Sequence, residues 1–201
     1  MTYESSPLMR RMTLAFLRIE GATQEAGGKP GFPPAIGLAV SACESAWWRS
    51  ETGKNNYFGI TRAPQFPGDP ESAFCATSEY LPQPGQLARF RADERDSAVA
   101  QAGKPGWYWM HRWFAVYPTL EAAVGAYVLL LIDSTRYHPA WIGYHEGAER
   151  GDSDLFLKAV CAAGYATGPA FQVELQISHQ QNILQAVASG RAELAANSHA
   201  A

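Results

Sequence analysis

The chain has 201 residues, enough for one domain with an adequate core and no need of covalent staples. A hydrophobic fraction of 47% with only 17% charged residues describes a folded globular protein rather than a disordered one. A net charge of −3 gives no electrostatic footprint for nucleic acid or anionic lipid, and no stretch is long enough for a membrane-spanning helix, so neither nucleic-acid binding nor membrane insertion is expected.

Met1 to Pro7 lacks the basic start and apolar run of a secretory signal, so delivery by some other carrier is expected for any action outside the cytoplasm. Ser6 and Pro7 then open a first helix, to about Ala26, with Leu8, Met12, Ala15, Phe16 and Ile19 at helical spacing. A breaker-rich loop over residues 27–34 leads to a second helix, on which Ile36, Val40, Cys43 and Trp47 share a face. Glu44 falls at the edge of that face beside two tryptophans, where burial would favour its protonated form.

From residue 57 to about 91 helical periodicity vanishes and Pro and Gly punctuate short runs such as Ser72 to Tyr80, which predicts a small β-lobe. Residues 93–101 read as a short helix or a loop, residues 103–106 as a turn, and Trp107 to Trp113 as an aromatic cluster. Pro118 starts a strong helix, Thr119 to about Ser134, ended by Arg136, Tyr137 and Pro139. Residues 140–151 read as a loop, Ser153 to about Ala163 as a helix, and Pro169 to Ala188 as a last helix with Phe171, Leu175, Ile177 and Ile183 as apolar positions. These elements describe a single domain over residues 1–188, with a β-lobe over 57–91 and a frayed Ala-rich tail over 189–201. Cys43, Cys75 and Cys161 are too scattered for a disulfide framework or a metal pair and are expected reduced and mostly buried.

A glutamate on a helix, a lobe with further carboxylates and a surplus of aromatics together suit glycoside hydrolysis. Rival chemistries lack their marks. There is no Gly-x-Ser-x-Gly elbow, no phosphate loop and no His-x-x-x-His pair, and His145 with Glu146 is the nearest approach to a metal site. No metal or organic cofactor is expected.

Five stretches also resemble, in order, the bacterial glucosaminidases of glycoside hydrolase family 73, which include a flagellar rod-associated peptidoglycan hydrolase and several autolysins. Ala42-Cys-Glu-Ser-Ala-Trp47 resembles the family's Ala-Leu-Glu-Ser-Gly-Trp-Gly, and Asn55-Asn-Tyr-Phe-Gly-Ile60 its Asn-Leu-Phe-Gly-Ile. Thr77-Ser-Glu-Tyr80 resembles its Thr-Thr-Glu-Tyr, Phe114-Ala-Val-Tyr117 its Phe-Arg-Val-Tyr, and Gly164-Tyr-Ala-Thr167 its Gly-Tyr-Ala-Thr-Asp-Pro. The resemblance implies a mostly helical, lysozyme-like α+β fold, with a groove between a helical body and a small β-lobe. It implies Glu44 as catalytic general acid and Glu79 as second carboxylate, with Asp69, Glu71 and Glu94 in reserve. It places Tyr137 and Tyr165 along the substrate groove and the Asn56 to Gly59 segment, Tyr57 included, on its floor.

The chain departs from the pattern at Ala46, Trp48 and Gly168, and the segment from Pro82 to Arg112 is longer than the family implies. Trp48, beside the acid, is a candidate wall of a sugar subsite. The function implied is cleavage of the β-1,4 bond between N-acetylglucosamine and N-acetylmuramic acid in peptidoglycan glycan strands. The rivals are a muramidase or lytic transglycosylase on the same fold, and a non-catalytic wall-binding module. Without a signal peptide, an antibacterial effector or a phage lysin is the expected setting, the protein acting in the periplasm or on the wall after delivery by a secretion system or holin. An effector would imply an immunity-protein partner.

Overall fold

The computed structural model describes residues 3–24, 28–83, 85–148, 150–165 and 170–199, with backbone alone at 170–172. In chain order the elements are α1 (Pro7–Thr23), α2 (Pro34–Glu44), β1 (Ser72–Tyr80), a 3-10 turn (Gln86–Arg89), α3 (Ala92–Asp96), β2 (Val99–Ala100), β3 (Trp107–Ala115), α4 (Leu120–Asp133), α5 (His138–His145), α6 (Ser153–Ala162), α7 (Ala170–Ser178) and α8 (Gln181–Ser198). They fall into two compact units. One is helical and takes residues 1–50 with 119–201; the other takes residues 51–118 and carries the sheet.

Capping starts the helices of the first unit where the sequence places them. The side chains of Ser6, Thr119 and Asp152 accept from backbone N–H groups of α1, α4 and α6, satisfying donors the helix leaves open. The core is a cluster of rings: Phe32 lies 6.0 Å from Phe16, 6.1 Å from Tyr127 and 5.9 Å from Phe156, the last two edge-on. Helix α2 runs through this core, packed by α1, α7 and α8. Residues 36–42 are all buried, so α2 is a central helix and not the one-faced helix expected from its spacing. Gly37 permits the approach of α1, because a Cβ there would meet the Phe16 ring at 2.3 Å.

Three expectations are corrected in this unit. Pro139 does not stop a helix but lies in the first turn of α5, which occupies much of the expected loop over 140–151. The expected last helix is two, α7 and α8, with its start at Pro169 outside the described residues. The expected frayed tail is helical to Ser198: Glu193 accepts from Tyr3 Oη at 2.7 Å and from Arg10 at 2.6 and 2.8 Å, and Gly190 lies against α1.

In the second unit β3 is central, pairing antiparallel with β1 and β2. The expected aromatic cluster at 107–113 is therefore a strand, and the lobe extends well past residue 91. Register places Glu79 opposite Tyr108, Thr77 opposite Met110 and Cys75 opposite Arg112 on one face, and Tyr80 opposite Trp107 and Phe74 opposite Trp113 on the other. The three cysteines are free, and each is half-buried rather than buried.

Candidate active site

Glu44 is the last residue of α2 and is exposed, so the burial expected from the sequence is not what surrounds it. The backbone just after it is unusual. Ala46, Trp47 and Trp48 have φ of 50°, 61° and 59°, three successive non-glycine residues in the left-handed region. Each costs on the order of 1–2 kcal/mol relative to a right-handed residue, so the surroundings must hold the run in place. Two buried serines do so. Ser45 Oγ donates to the Ser41 carbonyl and accepts from the Trp48 N–H at 2.9 Å, while Ser41 Oγ accepts from Trp48 Nε1 at 3.0 Å. Trp48 is thereby 7% exposed, which corrects its expected place in a sugar subsite: it anchors the turn behind Glu44. Trp47, half-buried and edge-on to it at 5.9 Å, is the more open of the two rings.

Around Glu44 the helical unit gathers acids. Charge on Glu44 bears on Cys43, Tyr127, Cys161 and Tyr165. Burial is the first cause that pushes the Cys43 thiol up to about 11 and Cys161 up to about 12, and it holds the phenols of Tyr127 and Tyr165 well above their ordinary value. Tyr165 meets Tyr127 edge-on at 5.7 Å and Tyr137 at 5.9 Å. Tyr137 is buried and Tyr165 half-buried, so of the two expected groove tyrosines Tyr165 offers more surface. Ala166 to Pro169, including the departure at Gly168, lie outside the described residues.

The same cluster holds a carboxyl that sequence reading missed. Glu174 on α7 is 0% exposed. Its Oε2 accepts from Cys161 Sγ at 3.3 Å, and its Oε1 is buried with no hydrogen-bond partner among the described residues. Burial raises its pKa above the ordinary carboxylate value. By spacing Glu174, Ile177 and Ser178 share a helical face, and the structure buries all three, which the spacing alone does not announce.

On the sheet, Glu79 pairs with Arg112 at 3.0 Å, both about three-quarters buried, and the Arg112 guanidinium lies over the Phe90 ring at 4.9 Å. Asn56 is fully buried and spends its side chain on the loop, donating to the carbonyls of Ile60 and Ala115 and accepting from the N–H groups of Phe58 and Ile60. That corrects its expected contact with substrate, whereas Tyr57 beside it is half-buried and retains open surface. The reserve carboxylates each have partners in the fold. Asp69 caps the turn at Gln65 and Glu71, whose N–H groups hold it below the usual range; Glu71 pairs with Arg62; Glu94 accepts from the N–H groups of Arg91 and Trp113. His145 bonds the Pro30 carbonyl and Glu146 pairs with Lys29, and among the described residues no three potential ligands gather for a metal ion.

Residues 21–184 match the glucosaminidase family model, described as mannosyl-glycoprotein endo-beta-N-acetylglucosaminidase. Comparison with curated proteins gave no sequence match. Among solved structures, the chain is similar to a peptidoglycan hydrolase mutant from Sphingomonas sp. A1, at 17% identity and a TM-score of 0.54, over 91% of this chain and 94% of that one. It is similar to the glycoside hydrolase domain of FlgJ from Salmonella typhimurium, at 20% identity and a TM-score of 0.51, over 86% and 94%. It is also similar to the catalytic domain of the autolysin Auto from Listeria monocytogenes, at 18% identity and a TM-score of 0.56, over 90% and 89%. These likenesses show the expected lysozyme-like α+β fold.

Proposed function

The chain belongs to the glucosaminidase family of glycoside hydrolases, and from that premise we propose that it hydrolyses the β-1,4 bond after N-acetylglucosamine in peptidoglycan, with Glu44 as general acid. The family match carries the reaction class. The peptidoglycan substrate is supported by the structural relatives, which are peptidoglycan hydrolases and an autolysin. The role of Glu44 is supported by its place in the stretch that resembles the family's Ala-Leu-Glu-Ser-Gly-Trp, inside the matched residues 21–184, and by its exposed position at the end of α2, where a substrate can reach it.

Glu44 protonates the glycosidic oxygen as the bond to the anomeric carbon breaks. Glu79, or the acetamido group of the substrate itself, supports the oxocarbenium-like carbon, and water completes the hydrolysis. General acids contribute about 10²–10⁴-fold, so Glu44→Gln is expected to abolish measurable lysis of purified wall while the protein stays folded. Glu79→Gln is expected to slow wall lysis at least about tenfold; a variant with the wild-type rate assigns that step elsewhere. A muramidase or a lytic transglycosylase would leave a different end on the sugar, and mass spectrometry of digested muropeptides reads it directly. An antibacterial effector or phage lysin acting on the cell wall is part of the same proposal. Toxicity of a periplasm-directed version, and rescue by a neighbouring immunity gene, test it.

A further inference from the structure

The long segment after β1 has a use that the acid at Glu44 does not absorb. Residues 81–83, Gly85 and Leu87 of the 3-10 turn at Gln86–Arg89 border an open pocket of about 350 Å³, with Gly106 and Tyr108 at the start of β3 on its other side. That volume is at the lower end of small-ligand sites, about 300–1,000 Å³. A second hollow, between α5 and α6, is about 120 Å³ and too small for a sugar ring.

The cavity is built rather than left over. Leu81 N–H donates to the Gly106 carbonyl at 2.6 Å, and Gln83 N–H donates to Gln86 Oε1 at 2.9 Å, which fixes the segment at two points. Gly106 has φ of 79°, and a Cβ there would lie 3.1 Å from Pro82 Cα and 3.1 Å from the Tyr80 ring. Tyr108, which lines the cavity, is the cross-strand neighbour of Glu79 and shares its face of the sheet.

We propose that this cavity is a subsite for an uncharged N-acetylhexosamine residue of the glycan strand. The lining decides the ligand class. Leu81, Pro82, Leu87 and the Tyr108 ring offer apolar surface to a pyranose face or an acetamido methyl, and Gln83 and the Tyr108 hydroxyl supply hydrogen-bonding groups for hydroxyls and the amide. Among the described residues none that lines the cavity carries a charge, so the carboxylate-bearing stem peptide finds no counter-ion there. The substrate class rests on the glycosidase function proposed for the chain; the position of the cavity beside Glu79 does not.

The test uses the full chain carrying Glu44→Gln, with the β-1,4 tetramer of N-acetylglucosamine as probe in calorimetric titration. Leu87→Trp fills the cavity and Tyr108→Ala removes its ring. Each is expected to weaken tetramer binding about tenfold, the scale of a lost pocket contact, with the melting temperature retained. In the catalytically intact chain each is expected to raise KM on wall glycan by a similar factor with kcat within about twofold. If one variant fails to fold, the other carries the comparison. Unchanged affinity and KM in a folded Leu87→Trp protein overturn the subsite, as does displacement of the tetramer by free stem peptide. Wall lysis by the Glu44→Gln chain would sink the general-acid role instead, and the tetramer titration would still decide the subsite.

Discussion

At the scale of single residues, the identity of a side chain says less than what it is bonded to. Trp48 and Asn56 are both plausible sugar contacts by type, and both are spent inside the fold. The Trp48 indole N–H depends on Ser41, so Ser41→Ala leaves it unsatisfied and is expected to destabilise the protein by about 1–3 kcal/mol, read by denaturant unfolding followed through tryptophan fluorescence. Stability unchanged within error would contradict the anchoring role of the serines. Glu174 makes a pH prediction. Its pKa is raised by burial, so the folded state binds this proton more tightly than the unfolded chain. Its contribution is fully present in acid and is lost as pH rises from the ordinary glutamate value of 4.5 through the raised folded value. Glu174→Gln keeps a neutral side chain of the same shape beside Cys161. Across that window the melting temperature of the wild type is expected to fall relative to Glu174→Gln; parallel curves would show that Glu174 is not held neutral by the fold.

At the scale of elements, local signals and tertiary pairing divide what is legible. The starts of α1, α4 and α6 are readable because their caps lie in the sequence itself, at Ser6, Thr119 and Asp152. β3 is not, because what makes Trp107 to Ala115 a strand is antiparallel pairing on both sides with β1 and β2. Pro139 stops a helix or starts one with equal ease, and only the packing of α5 on α4 and α6 decides which. The left-handed run after Glu44 is hidden for another reason: nothing in Ala-Trp-Trp favours positive φ, and the bonds that impose it come from Ser41 and Ser45. The C-terminal helix is the reverse case, a sequence that looks frayed but is tied to α1. Truncation after Ala188 removes Glu193 with its bonds to Tyr3 and Arg10 and uncovers α1 near Gly190. It is expected to lower the melting temperature by several degrees, whereas a dispensable tail would leave it unchanged.

At the scale of the whole molecule, the five stretches that carry the family resemblance are spread over both units, and the glucosaminidase match spans them from residue 21 to 184. The helical unit supplies Glu44 at the end of a buried helix, amid tyrosines, thiols and the buried Glu174. The sheet unit supplies Glu79 with its arginine and the uncharged cavity next to it. The sequence carried the reaction class by motif, and with it Glu44 as the candidate acid. Glu174 escaped it because one carboxylate on an apolar helix face reads as surface until its burial is seen, and the cavity escaped it because it exists only once Leu81 to Gln83, Gly85 and Leu87 lie against Gly106 and Tyr108. The central claim is that Glu44 is the general acid of a glucosaminidase. Purified peptidoglycan digested with wild type and with Glu44→Gln, followed by mass spectrometry of the soluble muropeptides, tests it most directly. Wild type is expected to release fragments with reducing-end N-acetylglucosamine and the folded variant none; equal release by the variant, or a reducing or anhydro end on N-acetylmuramic acid from the wild type, would contradict it.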